Sequence, residues 1–435
     1  MKATQPVAWH LKPARPLGRR SALANFGAQG TALLCLTIAS LVVARANGSE
    51  VLGEYALLRV LPWLTGIVLS LGLPMASAYF LAGARSLDAR LRPTLLVLVT
   101  AAAMGGAAVW CLGAPLVRRW FFPTVPEPLL LLAAVCVVTQ LVTVWAKACC
   151  QGQADLLGAN IVIITEELWF LPAYGTAILL GLDGMTAVVA GLIFGGTLAL
   201  ATALGRLAQT GFFRDLGRPA YRLVREIAAF GARGELGNVL WLMNLRLDFL
   251  VLSVLGGPSA LGLYAVASKF AELMRLPATA VNYVLYPRFA HAEPMAARAD
   301  FRRLLPRAVL LTIAATPVLA VAVVQLLPRI YGSEFSAAVV PACVLLVGLA
   351  VEGAAAVASA YLWGIGRPGL NTAAMCAGVV VTVALDLTLI PGHGALGAAV
   401  ASSAAYLLTT GLLTLFARRC SPVFPSPASV IDRAP

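Results

Sequence analysis

Charged side chains are scarce in this 435-residue chain: Asp, Glu, Lys and Arg together make up 12% of it, where a soluble domain carries roughly 25%. Histidine is scarcer. His10, His291 and His393 stand far apart, so no metal-ligand spacing is present and no metal or cofactor is expected. The eight cysteines include no C-x-x-C pair; they read as small packing residues, most of them inside apolar runs. No Walker A, H-E-x-x-H or G-x-S-x-G motif occurs, which leaves no basis for ATP hydrolysis or a recognisable hydrolase, and the chain reads as a non-enzyme. Gly364 to Gly369 fits G-x-G-x-x-G only formally, since it follows no strand and carries Pro368 where a helix should begin. It reads as a turn between two membrane spans.

What is present is hydrophobicity: 60% of the residues, with a mean hydropathy of +0.87. A spanning helix needs about 20 apolar residues. Twelve candidates follow, at 24–45, 56–83, 94–116, 128–148, 158–180, 186–206, 227–255, 261–289, 305–327, 339–361, 372–391 and 396–417. The fold expected is therefore all-α and integral to the membrane. The net charge of +13 does not point to nucleic acid, because the basic residues alternate between short connections. Lys2, Lys12, Arg15, Arg19 and Arg20 precede the first span. Arg85, Arg90 and Arg92 follow the second, Arg206 to Arg225 lie between the sixth and seventh, Arg298 to Arg307 between the eighth and ninth, and Arg418 and Arg419 follow the last. The positive-inside rule puts these segments and both termini in the cytoplasm. Ala44-Arg45-Ala46 resembles a signal-cleavage site, but the first span has a counterpart later in the chain and is expected to stay.

That counterpart belongs to an internal repeat. Asn25-Phe-Gly-Ala-Gln-Gly30 matches Ala229-Phe-Gly-Ala-Arg-Gly234; Gly53-Glu-Tyr55-Ala56 matches Gly262-Leu-Tyr264-Ala265; and Gly184 to Ala190 matches Gly394 to Val400. The order and the near-constant offset, roughly half the chain, point to a duplicated six-span unit. An even number of spans per unit makes the repeats parallel, with a central cavity between two lobes. The expected organisation is a basic N-terminus (1–23), an N-lobe (24–206), a cytoplasmic linker (207–226), a C-lobe (227–417) and a disordered tail (418–435). Pro62, Pro74, Pro172, Pro277 and Pro317 are expected to mark kinks. Gly191 and Gly195 form a small-xxx-small pair for close helix packing.

Charges inside the spans need a reason, since each costs about 2.5 to 3.5 kcal/mol at mid-membrane. The seventh span carries Arg233, Glu235, Asn238, Asn244, Arg246 and Asp248, and the eighth Lys269, Glu272 and Arg275 at helical spacing. Arg59 lies early in the second. Glu166 and Glu167 lie in the fifth, Glu352 in the tenth and Asp386 in the eleventh. Two readings stand side by side: mutually paired ions that hold helices together, or a cationic site for an anionic head group, with Arg246 and Lys269 the foremost candidates. The carboxylates are candidates for ion coupling or for structural pairing. Glu166 and Glu167 point about 100° apart and do not form a paired-carboxylate site. Seven acidic residues against five basic ones leave the sign of the substrate open.

At this point the chain resembles the polysaccharide transporters of the multidrug/oligosaccharidyl-lipid/polysaccharide (MOP) superfamily, which includes O-antigen and exopolysaccharide repeat-unit flippases. The resemblance runs through all twelve spans. It is carried by Gly53-Glu-Tyr55, Asn244-Leu-Arg246-Leu-Asp248, Gly262-Leu-Tyr264 with Lys269 and Glu272, Tyr286-Pro287, Tyr331-Gly332 with Phe335, Gly366-Arg367-Pro368, and Leu389-Ile390-Pro391 with Gly394, Gly397, Ala398 and Ala399. Asp386 departs from the asparagine common in the family. The resemblance implies a multi-pass protein of the bacterial inner membrane that moves a polyprenyl-pyrophosphate-linked oligosaccharide from the cytoplasmic to the periplasmic leaflet. Membrane lipids and polysaccharide polymerase or assembly proteins are its implied partners. A cation-coupled multidrug exporter shares the architecture and stays open. A membrane-embedded polymerase or ligase also stays open, although the chain lacks the large outer loop such enzymes use.

Overall fold

The computed structural model describes residues 19–420 apart from 215, 276–277, 279–284, 286–287 and 290–292; the side chains at 19–23, 84–85, 233–238, 240–241, 244–245 and 294 fall outside the description. Within it the chain is helical, with no strand among the described residues. The helices are α1 (Arg19–Ser70), α2 (Leu73–Ala82), α3 (Leu91–Phe121), α4 (Glu127–Leu132), α5 (Ala134–Gly152), α6 (Leu156–Leu168), α7 (Phe170–Leu179), α8 (Gly184–Gln209), α9 (Tyr221–Leu255), α10 (Gly257–Glu272), α11 (Pro294–Tyr331), α12 (Val339–Leu349), α13 (Glu352–Gly364) and α14 (Pro368–Arg419).

Among the described residues seven helical segments are long and apolar enough to cross a membrane, or eight if the bent pair around Ala350 is one span. The other spans expected from the sequence are the charged or broken ones. α1 and α14 each run 52 residues, about 78 Å at 1.5 Å per residue, more than twice the ~30 Å hydrocarbon layer. Both are broken at a glycine with positive φ, Gly48 (φ 80°) and Gly394 (φ 51°), a conformation that side-chain-bearing residues rarely adopt. Each of the four arms is then of membrane-spanning length. The backbone N–H of Ser49, just past the first break, donates to Glu334 Oε1 at 3.0 Å, so an acidic side chain meets the exposed amide end of the second arm. The expected second span at 56–83 is further interrupted at Leu71 and Gly72, both with positive φ. Pro172 falls just past the break between α6 and α7 at Trp169, as its missing N–H requires. Pro62 and Pro317 lie inside helices, and Pro277 lies outside the described residues.

The helices pack as two compact units: the described parts of Met1–Leu36, Pro62–Ala114 and Pro126–Glu235, and those of Thr37–Leu61, Pro115–Val125 and Leu236–Pro435. In the first, α2, α5, α6 and α8 close over Leu73, Phe80, Trp145, Val162, Leu207 and Phe212. The Trp145 indole N–H donates to Ser77 Oγ at 3.0 Å, satisfying the polar edge of a fully buried ring. Gly191 and Gly195 do what their spacing predicts: a Cβ on either would come within 3.0 Å of α7 at Tyr174 or Phe170. In the second unit, α11, α13 and α14 close over Phe289, Phe301, Val357, Tyr361 and Leu413.

The second unit also brings one pair of repeat motifs face to face. A Cβ on Gly53 would sit 1.9 Å from Pro258 O and 2.9 Å from Gly262 N. A Cβ on Gly262 would sit 1.9 Å from Ser49 O and 3.2 Å from Gly53 N. The contact is reciprocal: each glycine meets the other's amide and the carbonyl four residues before it. Ser49 and Ser259, 210 positions apart, join their hydroxyls at 2.9 Å beside it. This is a local two-fold relation between the repeats, made possible because neither position carries a side chain.

Candidate functional site

Arg246 and Asp248 of α9, Lys269 and Glu272 of α10 and Arg275 just past it lie within the second unit. Arg246 Nη1 lies 3.2 Å from Glu272 Oε1, both about a quarter exposed, and its guanidinium caps the Phe249 ring at 5.2 Å. Arg275 lies 3.9 Å from Glu352 on α13 and 4.5 Å over the Tyr406 ring of α14, a cation–π distance. Lys269, Glu272 and Arg275 are neighbours along the chain, yet the pairings recorded for Glu272 and Arg275 run across helices. That is the arrangement expected of ions holding helices together, and it neutralises two of the cationic candidates. Arg246, Glu272 and Arg275, with Asp248, Tyr264, Ser268 and Tyr406, line a void of about 20 Å³, room for about one water and no sugar.

Beside the pairs lie two carboxyl groups of different character. Asp248, 3% exposed, accepts from the Tyr264 hydroxyl, from Ser402 Oγ at 3.0 Å and from the Phe249 amide at 2.8 Å. Tyr264 and Ser402 are themselves 3.1 Å apart, so the three side chains form a closed network. Asp386, with no exposed surface, has no hydrogen-bond partner for either oxygen among the described residues, and it lies close enough to Asp248 for the two to interact electrostatically. A carboxyl group buried in this way needs a proton or a cation. Among the described residues no group of three or more His, Cys, Asp or Glu stands ready for a metal ion.

The remaining candidates are dispersed. Arg59 reaches the Tyr55 hydroxyl at 3.5 Å and lies over its ring at 5.8 Å. Glu166 pairs with Lys147 at 3.0 Å between α5 and α6 in the first unit. Lys269 and Glu167 each make further interactions. The side chains of Arg233, Glu235, Asn238 and Asn244, and the Tyr286-Pro287 motif, lie outside the described residues. Arg45, the last residue of the first expected span, donates to the carbonyls of Arg329 and Ile330 at 2.8 and 2.7 Å and so caps the end of α11. Sequence reasoning missed Tyr264, Ser402 and Tyr406 as members of the site. Tyr264 was visible as part of a repeated motif; nothing in the sequence distinguished Ser402 from its neighbours.

No protein-family model matches the chain, and no curated protein matches it. Solved structures do match in fold. The inward-facing conformation of a multidrug resistance MATE family transporter of the MOP superfamily superposes with a TM-score of 0.72 at 14% identity, covering 91% of this chain and 97% of that one. The lipid II flippase MurJ, in an inward closed conformation, gives 0.74 at 14% identity over 94% and 89%. The Vibrio cholerae MATE transporter VcmN, in its bent form, gives 0.61 at 12% over 92% and 97%. The chain has the fold of MATE transporters and MurJ, and it is a multi-pass membrane protein.

Proposed function

We propose that the chain is a flippase that moves a polyprenyl-pyrophosphate-linked oligosaccharide, an O-antigen or exopolysaccharide repeat unit, from the cytoplasmic to the periplasmic leaflet of the bacterial inner membrane by alternating access. Its two six-span lobes, 24–206 and 227–417, would rock around the substrate site while the lipid tail stays in the bilayer. The observation that carries the reading is the partly exposed Arg246–Glu272 pair within a polar cluster of apolar helices. An anionic pyrophosphate offers Arg246 a second partner in place of Glu272, which gives the pair two states of similar energy, as a transport cycle requires. The test is Arg246→Ala in the native host: lipid-linked sugar should accumulate on the inner leaflet while the protein remains folded in the membrane. Normal surface polysaccharide in that variant would refute the reading.

A second reading, a cation-coupled multidrug exporter, is favoured by the acidic excess. With Arg246 and Arg275 paired to Glu272 and Glu352, the carboxyl groups outside these two pairs are Asp248 and Asp386, which suit a proton or sodium ion as coupling partner. Altered dye resistance with intact polysaccharide would decide for this reading.

A further inference from the structure

A larger cavity of the second unit has a lining that shares no residue with this site. It encloses about 770 Å³ between α11, α13 and the end of α14, within the roughly 300 to 1,000 Å³ typical of ligand pockets. Its lining is divided by depth. Arg298, Arg302 and Arg418 stand at one end; Leu305, Val309, Leu310 and Ile313 continue from them along α11. Phe301, Leu305, Val309 and Ile313 recur every four residues, so one face of α11 forms the floor of the groove. No acidic residue lines it, and the nearby Asp300 is paired with Arg288 at 2.6 Å. The Tyr361 hydroxyl, stacked under Phe301 and within electrostatic range of Arg298 and Arg302, is buried with no hydrogen-bond partner among the described residues.

We propose that this groove binds one anionic phospholipid of the cytoplasmic leaflet, its phosphate on Arg298, Arg302 and Arg418 and one acyl chain along Leu305, Val309 and Ile313. Charge selects the head group: three cations with no acidic residue in the lining favour a net anion over a zwitterion. Depth selects the tail. From Arg302 to Ile313 the helix rises about 16 Å, half the ~30 Å hydrocarbon layer, so the groove holds a chain belonging to one leaflet. The positive-inside reading of these same arginines gives which leaflet. The site is independent of the transported substrate.

The experiment uses the full chain in phosphatidylcholine nanodiscs, titrated with phosphatidylglycerol of matching acyl chains and read by native mass spectrometry. One phosphatidylglycerol should be retained in preference to phosphatidylcholine, and inorganic phosphate should not displace it. The substitutions Arg298→Gln, Arg302→Gln and Arg418→Gln should each weaken retention about fivefold. Ile313→Trp fills the groove but leaves the arginines in place, and should also reduce retention. Equal retention of the two lipids, undiminished preference when the three arginine substitutions are combined, or full displacement by phosphate would each overturn the proposal. Full retention by Ile313→Trp would overturn the seating of the acyl chain.

Discussion

At the scale of single residues, the sequence announces which side chains are anomalous but not whom they meet. Arg246, Glu272, Arg275 and Glu352 stand out because ions are rare in apolar helices; their pairing depends on the rotation of α9, α10 and α13 about their axes, which a periodic pattern leaves free. A double-mutant cycle on Arg246→Ala and Glu272→Ala should return a coupling energy of about 1 kcal/mol in thermal or chemical unfolding; additivity within error would mean that the pair is incidental. Asp155 offers a cleaner test. It caps α6 by accepting from the Gly158 amide at 3.0 Å, and Arg206 donates to its carboxylate at 2.8 Å. Chiefly through that arginine bond, and also through the Gly158 amide, its carboxyl is held below the usual aspartate value. With the folded pKa depressed, the stabilisation is fully present above the unfolded value of about 3.9 and disappears as pH falls through the lower folded one. Asp155→Ala should therefore cost about 1 kcal/mol at neutral pH, and the gap between variant and wild-type melting curves should close only in strong acid.

Among elements, the helical content and the approximate spans follow from length and composition, whereas the breaks do not. The apolar runs leave 46–55 as a connection between two spans. The structure turns instead at Gly48 alone, because one residue at φ 80° reorients a helix without a loop. Gly394 acts alike in α14. The repeat motifs are legible as matched strings, and their meaning is not: Gly53 and Gly262 are glycines because each backbone lies against the other's carbonyl. Gly53→Ala and Gly262→Ala should each destabilise the protein by about 1 to 3 kcal/mol, as overpacking against unyielding backbone does. Their combination should cost less than the sum, because the first substitution already separates the two helices. Melting temperatures in detergent provide the measurement, and a wild-type value for either single variant would show that the helices do not approach as closely as described.

For the whole molecule, fold class was readable because 12% charge and a run of long apolar segments leave few alternatives to a helical membrane bundle. Function was less readable, since a fold shared with both drug exporters and a lipid flippase is decided by the chemistry of its site. Asp386 carries the corresponding prediction. Asp386→Asn removes a charge that no described residue solvates while keeping its shape, so the folded protein should be at least as stable as wild type. Transport should at the same time lose its dependence on the proton or sodium gradient. Retained ion dependence, assayed in vesicles with imposed gradients, would assign coupling to other groups.

The reciprocal meeting of Gly53 with Gly262, flanked by Ser49 and Ser259, has a historical reading. A patch that fits its own duplicate is isologous, the geometry by which identical subunits form dimers. A precursor of half this length would have associated through one glycine acting on both sides. Fusing the copies replaced a concentration-dependent encounter with a tethered one, and thereby freed the two versions to diverge, one keeping Tyr55 beside an arginine and the other placing Tyr264 on an aspartate.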